Sequence, residues 1–236
     1  PYFRKRTGQM LLVFRPECQD FCNFVVCMKH FFLIVTATLC VWTAKAQDME
    51  RIFAEMPDSI VPVMTKNNRL DCIDFYKSKM KSNVENIYGG KSELLALGND
   101  YLFIMPTQKS AVAMKRLATS SGDTIIVVVS TYLSPAKESD VVFYNGKWER
   151  LSAQKLISPP EKGDFYSKSD ICDAARLSYA RAAGEDAFVY AELSENEPVI
   201  SYGLSLESLV PEDEAKVTPY LSGKIVYKWN GKAFER

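Results

Sequence analysis

The run Thr124–Tyr132 (TIIVVVSTY) is almost wholly β-branched and carries no charge. A strand with one wet face alternates polar and apolar residues. This run does not alternate through its centre, so it reads as a central strand covered on both faces. A chain holding such a strand must supply apolar cover on each side of the sheet.

The preceding sequence offers helices for one side. Asp48 is an N-cap for a first helix, with Met49, Ile52, Phe53 and Met56 on one apolar face and Pro57 as its stop. A second helix follows Asn67-Asn68, either of which can cap, with Leu70, Ile73, Tyr76 or Lys77, and Met80 along its apolar side. After Gly89-Gly90 the period changes. Residues 94–97, 101–105, 111–117 and 124–133 are β-rich runs separated by Gly98-Asn99-Asp100, Pro106 and Ser120-Ser121-Gly122-Asp123. Val141–Tyr144 then meets Asn145-Gly146, a strong hairpin signal, before Lys147–Arg150.

The second half has similar grammar. Residues 176–182, 188–193 and 199–204 read as strands, and Pro211 with Glu212, Asp213 and Glu214 opens a short helix ending near Leu221. VVFYNGKWER (141–150) and IVYKWNGKAFER (225–236) each place a strand, an Asn-Gly-Lys turn, an aromatic and Glu-Arg in order. The expected fold is therefore α+β: N-terminal helices packed on antiparallel β-sheet, with a duplicated four-stranded meander forming a second β-rich lobe. A two-bladed or propeller-fragment arrangement of the meanders is the alternative. Pro159-Pro160-Glu161-Lys162-Gly163 serves as linker, dividing 47–158 from 159–236.

The N-terminal region reads as a targeting segment. Met28, Lys29 and His30 form a basic start, Phe31–Trp42 an apolar stretch, and Ala44-Lys45-Ala46 a small-x-small cleavage site. The expected signal peptide is 28–46, with Gln47 as mature N-terminus and residues 1–27 as an upstream extension from a start placed too early. Cys40 raises a lipoprotein alternative, against which Leu39 stands where a small residue is wanted. Residues 1–46 hold six of the 29 basic and two of the 29 acidic residues, leaving 23 against 27 in a slightly acidic mature chain. That balance argues against nucleic-acid binding. No transmembrane helix is expected in the mature protein.

Phe53–Ile60 (FAEMPDSI), Thr65–Leu70 (TKNNRL), Asp71 with Ile73–Tyr76 (IDFY), Gly89-Gly90, Asp100–Leu102 (DYL) and Ile225–Trp229 (IVYKW) carry a resemblance. Together they resemble the exported Bacteroidales family catalogued as domain of unknown function 3256, over essentially all of 47–236. The resemblance implies an exported protein of a Gram-negative bacterium, in periplasm or cell envelope, and implies no reaction or catalytic residue.

The residues themselves narrow the chemistry. The only histidine is His30, so the mature chain has none for a Ser-His-Asp or Cys-His pair or for zinc. Gly90-Lys91-Ser92 ends like a phosphate loop but has Glu85 where the first glycine belongs, and reads as a turn. Asp71 and Asp74 share one helix face and suit helix-dipole pairing better than glycoside hydrolysis. Glu212-Asp213-Glu214 lacks the spacing of a calcium loop. Cys72 and Cys172 are the mature cysteines and a possible disulfide, or two buried thiols. Tyr144, Trp148, Tyr227 and Trp229, with Phe234, can stack on a sugar or peptide, or pack their hairpins. The resulting expectation is a non-catalytic envelope or periplasmic module that binds a ligand or protein, its partner an unknown envelope protein or glycan. No metal, cofactor or catalytic residue is assigned. A carboxylate-based hydrolase acting on glycans is the alternative.

Overall fold

Asp48 caps the first helix, α1 (Met49–Glu55), its Oδ1 accepting the Arg51 amide at 3.0 Å. The computed structural model describes residues 48–167 and 174–236; the expected signal peptide (28–46), the extension (1–27), Gln47 and Cys172 lie outside the described residues. Met49, Ile52 and Phe53 are buried on the inner face of α1.

Helix α2 (Lys66–Lys77) is capped by Thr65 rather than by Asn67 or Asn68. Thr65 and Asn68 exchange side-chain and backbone hydrogen bonds in a capping box. The buried face is Arg69, Cys72 and Ile73, while Leu70 and Met80 of the expected apolar side are 40% and 59% exposed. The helix is rotated because Arg69 organises the α1–α2 connection. Its guanidinium is buried and donates to Met56 O at 2.5 Å, Met64 O at 3.1 Å and Asp58 Oδ1 at 2.7 Å. A cation this deep needs partners for its donors; the two terminal nitrogens have them, whereas the buried Nε has none among the described residues. Met80 lies beyond the helix, where Lys79 turns into positive φ and the Lys79 and Met80 amides bond back to Tyr76 O and Phe75 O.

Six antiparallel strands follow in chain order: β1 (Asn83–Glu85), β2 (Lys91–Leu97), β3 (Tyr101–Thr107), β4 (Ser110–Ala118), β5 (Thr124–Tyr132) and β6 (Glu138–Asn145). Pro106 is not a turn but part of β3, at a register irregularity between Ile104 and Thr107 that spares the ladder its missing N–H. Its carbonyl accepts the Ser92 hydroxyl at 2.6 Å and the Asn86 amide at 3.2 Å. Ser92 of the phosphate-loop-like tripeptide is thus a buried structural hydroxyl.

The two faces of β4 and β5 serve separate cores. Val112, Met114, Ile126 and Val128 join Met49, Phe53 and Ile73 under the helices. Ala113, Leu117, Val127 and Val129 face the other way, against a second sheet. That sheet is antiparallel, in the order β10-β9-β8-β7, from β7 (Phe188–Leu193), β8 (Val199–Ser205), β9 (Ile225–Trp229) and β10 (Phe234–Glu235). Ala191, Ile200, Tyr202, Ile225 and Tyr227 supply its inner face. The expected halves on either side of 159 are thus two sheets sharing one apolar core, with six strands in one and four in the other.

Two further helices, α3 (Ala174–Ala183) and α4 (Pro211–Val217), pack together through Leu177, Ala180, Ala183 and Val217. The segment expected as a strand at 176–182 is therefore helical. AARLSYARAA is alanine-rich, and its buried Ala180 with half-buried Leu177 and Ala183 recur every third position, not every second. Among the described residues no helix is long and apolar enough to cross a membrane.

Two predictions follow from α2. Arg69→Leu strands the Met56 and Met64 carbonyls and lowers unfolding free energy by about 3 kcal/mol, whereas Asp58→Asn, at a 62% exposed carboxylate, costs under about 1 kcal/mol; urea denaturation of both variants checks the contrast. Cys72 is a buried thiol whose pKa burial pushes up to about 11. A raised pKa keeps it protonated until pH approaches that value, so at pH 8 iodoacetamide modifies it only after denaturation, as intact mass reports.

Candidate functional site

The four aromatics expected to form a binding surface occupy opposite faces of the six-stranded sheet. Tyr144 and Trp148 meet with ring centroids 5.5 Å apart, tilted by 60°, and pack against the core under the helices. Tyr227 is buried between the sheets, 5.7 Å from the Tyr202 ring. Trp229 packs on Phe234 at 5.2 Å and donates its indole N–H to Ala118 O at 2.8 Å. The structure brings together each sequence-local pair and keeps the two pairs apart.

The two Asn-Gly turns differ in loop length. Asn145 closes on Glu149 across three residues, with Trp148 at φ +64°, whereas Asn230 closes on Ala233 across two, with Gly231 at φ +92°. In both, the Asn Oδ1 accepts two backbone amides: Lys147 and Glu149 in the first, Lys232 and Ala233 in the second. Both turns lie against the β4–β5 turn. Ser120 N donates to Gly231 O at 2.8 Å, and Thr119 and Asp123 line a depression with Asn145, Gly146 and Lys147.

A further concavity lies elsewhere, where β7 packs against the inner face of the six-stranded sheet. It is a groove of about 360 Å³, floored by Phe103, Ala111, Ala113 and Val129, with Tyr101, Thr131, Lys137 and residues 190–193 around it. All the floor residues share the sheet face that points at the second sheet. Their neighbours along the same face, Leu117, Ile125 and Val127, fill the inter-sheet space fully, whereas Ala111 and Ala113 leave it short of volume.

Lys115 is the cross-strand partner of Tyr101 and lies outside the groove's lining. It is 1% exposed, donates to Glu195 O at 2.6 Å, lies 3.6 Å from Asp100 Oδ2 and sits 5.7 Å from the Tyr101 ring centroid. This buried ammonium ties the β7–β8 turn down to β4. Tyr101 is itself 9% exposed and lines the groove. Burial, then the Glu195 and Glu192 carboxylates, raise its pKa, so the phenol stays a neutral donor.

The Tyr190 ring is flanked by two ammonium groups, Lys137 at 5.8 Å and Lys224 at 5.6 Å. A β-carbon on Gly203, its cross-strand partner, would lie 2.5 Å from the Tyr190 ring, so glycine there is what lets the ring lie across β8. Lys224 pairs with Glu192, and the bond to that carboxylate raises the lysine's pKa. Glu192 is the one carboxylate lining the groove. Asp71 and Asp74 lie exposed on α2, and Glu212–Glu214 form the first turn of α4 with Asp213 bonded to Lys216 at 2.6 Å.

None of the groove residues was singled out in the sequence. The available signal was Ala111-x-Ala113 in a strand whose other inward positions are Lys115 and Leu117: missing volume on one face, beside a lysine inside a strand.

A solved domain of an uncharacterized protein from Porphyromonas gingivalis W83 is similar in fold, with a TM-score of 0.69 at 24% identity over 80% of this chain and 96% of that one. No curated protein matches the chain. The family described as Protein of unknown function (DUF3256), to which no function is assigned, matches residues 41–234. Spanning well over half of the sequence, that match makes the chain a member of the DUF3256 family.

Proposed function

We propose that the protein is exported to the periplasm or cell envelope, where it binds a partner or ligand without catalysis in the groove beneath β7. The observation that carries this reading is the groove itself: Ala111 and Ala113 leave the space between the two sheets short of volume, over an apolar floor shared with Phe103 and Val129 and with Tyr101, Lys137 and Glu192 around it. An apolar floor with a few polar groups at its ends is the usual composition of a binding cleft, and about 360 Å³ lies within the usual range. Export is supported by the Met28–Ala46 pattern. The hydrolase alternative gains nothing from the groove, whose single lining carboxylate is held by Lys224. The matching Asn side-chain bonding of the two turns supports reading 141–150 and 225–236 as traces of an internal duplication.

Filling the groove tests the site. Ala113→Phe abolishes recovery of any ligand or partner that co-purifies with the wild-type protein from envelope extract, while Trp148→Ala leaves recovery intact. The opposite pattern moves the site to the Asn145 turn and contradicts the proposal.

A further inference from the structure

We infer that the groove takes a monocarboxylate with an apolar chain of medium length, the carboxylate on Lys137 and the chain along β4; this rests on the reading of the groove as the binding site. The strand register makes the floor a trough. Ala113 pairs with Phe103 on one side and Val129 on the other, so in that row a small side chain lies between two larger ones. The next row on the same face is Ala111 beside Thr131, and two residues along a strand advance about 6.6 Å. In the opposite direction Lys115 takes the next inward position and is tied to Glu195 O at 2.6 Å, so the run of small side chains ends there. Past Ala111 the chain turns from β5 to β6, where Leu133 donates its amide to Lys109 O and Lys137 directly precedes β6. The trough thus leads from Ala113 to Lys137, which also lines it.

The chemistry of the trough differs between its floor and its end. Phe103, Ala111, Ala113, Val129 and Leu133 have no side chain that hydrogen-bonds, so the hydroxyls of a sugar would lose water there without replacement. Among the polar lining groups, the Thr131 hydroxyl is bonded to Ser139 at 2.8 Å and the Glu192 carboxylate is paired with Lys224. Lys137 is the charged lining group without an opposite charge against it among the described residues. Its backbone is held in place, the amide donating to Ser205 Oγ at 3.3 Å beside the buried Ala136. Its ammonium rests 5.8 Å from the Tyr190 ring centroid. A half-buried ammonium on an aromatic ring gains from a counter-ion, and a single positive charge matches one carboxylate better than a phosphate dianion. Volume sets the chain length. The groove's 360 Å³ is roughly twice the ~150 Å³ apolar cavity that accepts benzene, so a chain of about ten carbons fits.

The test is titration of decanoate, below its micelle concentration, into the purified protein, read by calorimetry and by the alanine and valine methyl resonances in NMR. The expected result is one bound decanoate that shifts the Ala111, Ala113 and Val129 methyls. Lys137→Gln weakens decanoate at least tenfold, whereas decanol, which carries no charge, binds wild type and Lys137→Gln alike. Ala113→Phe loses both ligands, as does Ala111→Leu should the first variant not fold. Decanoate that shifts those methyls but is indifferent to Lys137→Gln overturns the carboxylate at Lys137 and keeps the groove. Decyltrimethylammonium binding there more tightly than decanoate does the same. If no decyl compound moves those methyls, the apolar-chain ligand is overturned. The groove falls with it only if Ala113→Phe also leaves recovery of a co-purifying ligand or partner from envelope extract unchanged.

Discussion

Val127 and Val128 sit back to back in β5, both almost fully buried, and each needs its own apolar cover. The same demand holds for Ala113 and Met114 on β4. Burying one valine-sized side chain contributes about 1.5–3 kcal/mol, so a strand pair apolar on both faces draws a layer onto each side. The helices α1 and α2 supply one layer and the second sheet the other. The two buried cations follow from this layering. Arg69 holds the loop that lets α1 and α2 lie side by side, and Lys115 fastens the second sheet's β7–β8 turn to the first.

The layering was legible because a β-branched run without charge has few places to go. Helix α1, its cap and its face were equally plain, since Asp48 precedes a regular apolar spacing. Helix α2 was legible as a helix but not in its rotation: the inward residue is Arg69, and periodicity counts an arginine as outward. Helix α3 reads as a strand because its few apolar residues alternate weakly enough to mimic period two, while its alanines decide the matter by propensity. Pro106 marks a turn in most strands, and here a bulge absorbs it.

The groove was illegible for a different reason. Pattern reading finds residues that are present, whereas the groove arises where side-chain volume is lacking, at Ala111 and Ala113, opposite a strand more than 75 residues away in sequence. Strand periodicity cannot place β7 above that gap. The aromatic hairpins are conspicuous in the sequence because the pattern repeats. Their rings mostly serve packing, on Phe234, Tyr202 and the core beneath α1 and α2. Cover of the inner face is thus complete near Val127 and incomplete near Ala111, and the incomplete region is bordered by the edge of β7.

Native-state amide hydrogen exchange read residue by residue in the unliganded protein tests this account most directly. The account predicts that Val127, Val128 and Val129 exchange only through global unfolding. Along β7 it predicts alternation, with Tyr190 and Glu192 protected through β8 and Val189, Ala191 and Leu193 exchanging at least a hundredfold faster. Uniform protection along β7 contradicts it, for both edges of the strand would then be held by backbone hydrogen bonds.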